Sequence, residues 1–185
     1  MFSYLKMLEY PIKIKNPNPR LATIVATQYG GPNGELGASL RYLSQRYTMP
    51  DDVTRGLLTD IGTEELAHLE MVGTLVKQLN NGVAPEEWKK LGTWEYYSDN
   101  GASVYPQSSQ GSPFNAASIA VTGDAITNLF EDLAAEQKAR ATYDNILRLS
   151  DDPDVNDVIR FLRQREVTHF QRFGEAKRKD TSKVV

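Results

Sequence analysis

The sequence predicts an all-α four-helix bundle with one long crossover, and three observations carry that prediction. Helical periodicity covers two stretches, 20–80 and 123–179, each broken near its middle by a turn. Between them lie about 40 residues with no sustained period, far above the usual loop length of about 4–6. Finally, the only two histidines, His68 and His169, fall in register with apolar helical stripes, and each follows a glutamate by three residues.

The chain of 185 residues is long enough for one sizeable core and is expected to form a single domain, 1–185. A hydrophobic fraction of 40% is ordinary for a folded protein, and a net charge of -3 argues against a polyanionic partner, so nucleic acid is not expected. Cysteine is absent, which excludes disulfides, thiol catalysis and thiolate metal sites. Carboxylate and imidazole remain as the strong protein ligands. No uncharged apolar run approaches the roughly 20 residues of a membrane span, and the N-terminus has no apolar signal-peptide core. Synthesis in the cytoplasm without a signal peptide is therefore the expectation.

Residues 1–19 read as an extended arm, with Pro11, Pro17 and Pro19 opposing helix and a short β-like LEYPIKI between them. The first hairpin, 20–80, starts at Arg20, is interrupted at GGPNG (30–34), continues through ELGASLRYLSQRY and turns at TMPDD. Its second helix, about 51 to 80, places Leu58, Ile61, Val72, Leu75 and Leu79 on one face, and Asn80, Asn81 and Gly82 stop it. The stretch 81–122 is rich in Gly, Ser, Asn, Pro and aromatics and reads as an irregular crossover. In the second hairpin, 123–179, a helix runs from about Asp124 to Leu149, the chain turns at SDDPD, and a last helix carries Val155, Ile159, Leu162 and Phe173 on one face. A long crossover is what a bundle with parallel second and third helices needs, because helices of about 25 residues are about 37 Å long.

The polar residues in the stripes carry the chemistry. Glu65 and His68 sit in slots of the stripe 58, 61, 65, 68, 72, 75 and 79, and Glu166 and His169 do the same in the last helix. Glu35 precedes Glu65, and Glu136 precedes Glu166, by the same 30 residues, with the turn near each midpoint. The facing carboxylates therefore lie at one height, about 22 Å along each arm. Burying four carboxylates and two imidazoles uncompensated would cost several kcal/mol per charge. Two divalent cations would neutralise them, in the dinuclear arrangement of one glutamate from each of two helices and Glu-x-x-His from each of the others. The ligand types suit manganese and iron alike. Tyr42, seven residues after Glu35, is placed either to hydrogen-bond a ligand carboxylate or to pack. Glu64 and Glu70 fall off the stripe and read as solvated or surface-paired. The basic run Arg160, Arg163, Arg165, Arg172, Lys177, Arg178 and Lys179 is read as complementing the helix dipole rather than binding an anion. Trp88, Trp94, Tyr96, Tyr97 and Tyr105 are expected to anchor the crossover or a subunit contact.

The contexts YGGPNGELGASLRYLSQRY, LLTDIGTEELAHLEM, LAAEQKARATYDNI and FLRQREVTHFQRF together resemble the manganese catalase family, across nearly the whole chain and with specific motifs. Within the family the chain looks most like its short spore coat members. The resemblance implies a ferritin-like four-helix bundle with a long crossover loop and a site for two manganese ions. It also implies disproportionation of hydrogen peroxide to water and dioxygen. It makes Glu35, Glu65, His68, Glu136 and His169 the metal ligands, with Glu65 bridging, and Glu166 an outer acid/base group that moves protons. It further implies a homo-oligomer, a hexamer by family likeness, and other spore coat proteins as partners. Longer members continue well past the last bundle helix and wrap neighbouring subunits with that tail, whereas 16 residues follow His169 here. Where some members carry an arginine before the third-helix glutamate, this chain has Ala135, with Lys138 and Arg140 nearby.

Overall fold

The computed structural model describes residue 5 and residues 7–181, without the side chains of 180 and 181. Helices are α1 (Pro19–Val25), α2 (Thr27–Gly30), α3 (Glu35–Gln45), α4 (Asp52–Leu79), α5 (Pro85–Lys90), α6 (Trp94–Asn100), α7 (Ala125–Leu149) and α8 (Pro153–Thr181). No strand occurs among the described residues. Four of these helices form the bundle. The antiparallel hairpins α3/α4 and α7/α8 pack together, and the crossover carries the chain from the C-terminal end of α4 back to the start of α7.

Local signals set the helix ends. The Asp51 side chain accepts from the Thr54 N–H to start α4, and Asp124 accepts from the Thr127 N–H to start α7. Pro153 occupies the first position of α8, where its missing N–H costs nothing. The bundle core is split in two. One apolar cluster joins Val25, Val72, Leu75, Leu79, Ile146, Val155, Ile159 and Leu162; the other joins Met49, Leu58, Ile61, Leu129 and Phe173. The predicted stripes are thus buried, and the polar residues of those stripes lie between the two clusters.

The arm expectation falls partly on residues 1–4 and 6, which lie outside the described residues. From residue 7 the arm packs on the bundle without forming a strand: Ile12 is buried, Tyr10 stacks on Phe161, and Gln78 exchanges two hydrogen bonds with the backbone of Ile12 and Ile14. The crossover is less irregular than its composition predicted, since it contains α5, α6 and a 3₁₀ turn at Ala116–Ser118. α5 has Pro85 in its first turn with Glu86 and Glu87, and Lys89 and Lys90 in its last, a charge order that complements the helix dipole. Such helices are too short to show a period. Trp88 is buried and stacked on Tyr96, whose hydroxyl donates to the Ser103 carbonyl and accepts from the Tyr105 N–H. Trp94 and Tyr105 stay largely exposed. The crossover docks where Gly30 lets it approach: a Cβ there would lie 2.2 Å from the Pro106 carbonyl carbon.

Candidate metal centre

Glu35, Glu65, His68, Glu136, Glu166 and His169 converge between the two apolar clusters, and none is more than 1% exposed. Their ligand atoms form two overlapping groups, Glu35, Glu65, His68 and Glu166 in one, Glu65, Glu136, Glu166 and His169 in the other. Within each group the atoms lie within 4.8 Å of one another. Glu65 and Glu166 are common to both groups, and Glu65 lies nearest to the rings. Its Oε2 is 2.7 Å from His68 Nδ1 and its Oε1 is 2.8 Å from His169 Nδ1, so one carboxylate divides its oxygens between two imidazoles. The rings lie nearly parallel at 5.6 Å.

Apart from the hydrogen bond between Glu65 Oε2 and His68 Nδ1, these groups are close without satisfying one another. Glu35 Oε2, Glu65 Oε1, Glu136 Oε2, both oxygens of Glu166 and Nδ1 of His169 make no hydrogen bond despite full burial. Orphaned buried acceptors are rare in folded proteins and costly. Lone pairs that face a common space rather than a donor fit cations, and the donor set of carboxylate and imidazole suits manganese or iron.

Protonation in the protein alone reflects the same crowding. Burial pushes Glu35, Glu136 and Glu166 above the ordinary carboxylate range, with Glu65 adding repulsion at each. Burial opposes the charge on Glu65 too, yet the two imidazoles hold its carboxyl low. Burial likewise works against the imidazolium of His169, but Glu65, Glu136 and Glu64 outweigh it and push its pKa to about 12; His68 is raised for similar reasons.

The two halves of the site are related by an offset of 101 residues, which maps Glu35, Tyr42, Glu65 and His68 onto Glu136, Tyr143, Glu166 and His169. The tyrosines cross over. Tyr42 donates to Glu136 Oε1 at 2.6 Å and also packs against the ring of Phe173, and Tyr143 donates to Glu35 Oε1. Tyr143 is buried on the same helix as Glu136. Its place seven residues after Glu136, matching Tyr42 after Glu35, was the signal for its partnership.

Glu64 corrects the sequence reading. It is neither solvated nor a plain surface pair: its two oxygens lie 3.5 Å from His68 Nε2 and 3.3 Å from His169 Nε2, while Arg165 Nε donates to it at 2.6 Å. A three-carbon side chain lets a residue beside the stripe curl around to the outer edges of both rings. From the arm, Glu9 also comes within 3.5 Å of His68 Nε2. Glu70 is exposed, as expected. In the basic run, Arg160 pairs with Asp157, Arg163 with Asp144, Arg165 with Glu64 and Arg172 with Asp60, so local carboxylates hold these four cations.

A second buried polar group went unread in the sequence. Arg41 and Gln45 on α3 and Asn128 and Asp132 on α7 are all at most 2% exposed. Burial pushes the Asp132 carboxyl up, while Gln45 and Arg41 are near enough to pull it down.

Fold and site together define a ferritin-like helical bundle with a buried carboxylate and histidine centre. The chain belongs to the manganese catalase family: the family model described as manganese containing catalase matches residues 1–184. Protein CotJC of Bacillus subtilis (strain 168) is 51% identical over 95% of this chain and 93% of its own length. A probable manganese catalase of Clostridium acetobutylicum is 36% identical over 95% of this chain and 79% of its own. The crystal structure of KatB, a manganese catalase from Anabaena, superposes with a TM-score of 0.87 at 31% identity, over 95% of this chain and 79% of that one. Among the described residues no helix is long and apolar enough to cross a membrane.

Proposed function

We propose that the protein is a dinuclear manganese catalase that disproportionates hydrogen peroxide to water and dioxygen. The observation that carries this reading is Glu65, whose oxygens face one imidazole Nδ1 each at 2.7 and 2.8 Å inside a sealed layer of further carboxylates. Glu35, Glu65 and His68 would hold one ion, and Glu65, Glu136 and His169 the other. Bound there, two manganese ions supply the two-electron capacity that lets one peroxide be reduced and the next oxidised.

The remaining work falls to the chain. Tyr42 and Tyr143 fix the rotamers of Glu136 and Glu35, each leaving the other carboxylate oxygen to face the centre. The imidazoles present Nδ1 inward, and Glu64 at their Nε2 atoms favours that tautomer. Glu166 differs from Glu65, its partner by the 101-residue offset: it approaches only His68 Nδ1, at 3.9 Å, and neither oxygen has a hydrogen-bond partner. Burial favours its protonated form, so Glu166 can hold a proton at Oε1 or Oε2 and pass it to a peroxide oxygen. From the family resemblance we carry over, as part of this proposal, a hexameric homo-oligomer and a place among spore coat proteins.

The test is oxygen evolution from hydrogen peroxide by purified protein loaded with manganese, with elemental analysis of protein from its natural source to separate manganese from iron. Glu166→Gln should keep two manganese per chain and lose about 100-fold or more in turnover, in line with the usual worth of a positioned acid or base. Undiminished turnover would remove Glu166 from the mechanism. Glu64→Ala should weaken manganese binding about 10–100-fold, the usual cost of losing a carboxylate behind a ligand histidine. Competition against a chelator measures it, and unchanged affinity would show that Glu64 does not orient the rings.

A further inference from the structure

The centre is closed on most sides. Apolar clusters pack above and below it. The outer edges of the imidazoles are covered by Glu64, Arg165 and the arm residue Glu9. The seam between α3 and α7 is different, because polar side chains line it. On α7, Asn128, Asp132 and Glu136 follow one another at intervals of four residues, about 6 Å per step, on one inward face. On α3, Arg41 and Gln45 have the same spacing, and Tyr42 beside them donates to Glu136.

Their roof is a single stretch of the crossover. Arg41 donates to the Ser118 carbonyl at 3.2 Å, Gln45 to the Ala120 carbonyl at 2.8 Å, and Asn128 Oδ1 accepts from the N–H and hydroxyl of Thr122. Residues 121–124 above it are exposed. Beneath the roof five buried polar atoms have no hydrogen-bond partner: Arg41 Nε, Gln45 Oε1, Asn128 Nδ2 and both oxygens of Asp132. Left dry, each would cost about 1–3 kcal/mol, a sum comparable to the whole stability of a domain. Ordered water satisfies such groups when several donors and acceptors converge.

We propose that this cluster of Arg41, Gln45, Asn128 and Asp132 is a hydrated passage through which water and hydrogen peroxide reach the centre beside Tyr42 and Glu136. As a route for peroxide it rests on the catalase reading; as a route for water it does not. Hydrogen peroxide donates and accepts hydrogen bonds as water does and is little larger, so a file of water sites is also a file of peroxide sites. An apolar side chain at 132 would fill and dry the passage, while also taking from the buried Arg41 the carboxylate beside it.

The experiment uses protein loaded with divalent manganese and reads water-proton relaxation, which reports exchange of water at the ions whether or not peroxide is turned over. Asp132→Leu should slow that exchange about tenfold while keeping two manganese per chain, and Asp132→Asn, which removes the same charge but stays polar, should restore most of it. Wild-type exchange in metal-loaded Asp132→Leu would overturn the passage. A crystal structure of the wild-type holoprotein provides a second measure that needs no variant: ordered waters bonded to Asp132 and Gln45 are expected, and a dry cluster overturns the proposal. Slowed exchange in a protein without catalase activity would keep the water route and remove the peroxide reading.

Discussion

Glu65→Ala is expected to abolish both manganese binding and oxygen evolution, the largest effect of any single substitution. Each proposed ion loses a ligand at once, because Glu65 lies within 2.8 Å of the Nδ1 atom of each imidazole. The change also removes a buried carboxylate that the imidazoles hold low, leaving two imidazoles in a buried layer without their central anion. Breaking a buried pair by deleting one partner costs about 3–5 kcal/mol. The expected result is therefore a metal content near zero, oxygen evolution at background and a melting temperature lowered by roughly 10 °C, at about 2–4 °C per kcal/mol for a chain of this size. Elemental analysis, an oxygen electrode and calorimetry check the three parts. A variant that keeps two manganese and normal oxygen evolution would remove Glu65 from the centre. Glu65→Gln separates ligand loss from the cavity, since it keeps the volume and loses the charge.

How much of this was legible in the sequence depended on reach. Glu65, His68, Glu166 and His169 interrupt apolar stripes, so periodicity alone exposed them, and the equal spacing of Glu35 and Glu136 completed the six. The same logic misplaced Glu64. A helical wheel assigns a direction to a Cβ, and the Glu64 carboxylate sits three bonds further on, drawn round by Arg165 and the two rings. Tyr143 was visible on the correct face, but its partner Glu35 is on another helix, 108 residues away. Asp132 carries no motif at all. It is inward-facing and polar, and its meaning comes from Gln45 and Arg41 across the seam and from a crossover whose path the sequence could not supply. α5 and α6 were missed for the opposite reason: their signals are caps and end charges rather than period.

The second large effect is a dependence of metal-induced stability on pH. Without metal, burial favours the protonated forms of Glu35, Glu136 and Glu166, and the surrounding carboxylates favour the charged forms of both imidazoles. A group whose pKa is raised on folding stabilises the fold fully below its unfolded pKa, and that stability is lost as pH rises through the folded value. For His169 the window runs from about 6.5 to about 12, and for the raised carboxylates it begins near 4.5 and extends upward. Glu64 and Glu65, held low, contribute above about 4.5 and lose that contribution only on acidification. The apo protein should accordingly be most stable near pH 4.5 and weaken from there upward, more steeply once the imidazoles contribute above about 6.5. Manganese binding requires the deprotonated forms, so it must displace protons from both Nδ1 atoms at least, and its affinity should rise with pH. At free metal about 1,000-fold above Kd the ligand adds about 4 kcal/mol, which for this size means roughly 10 °C in Tm. The Tm difference between holo and apo protein should therefore widen from pH 5.5 to pH 8.5, and titration calorimetry in buffers of different ionisation enthalpy should show at least two protons released per chain. A constant or narrowing difference, with no proton release, would mean that the centre does not exchange protons for metal and that its burial is compensated in some other way.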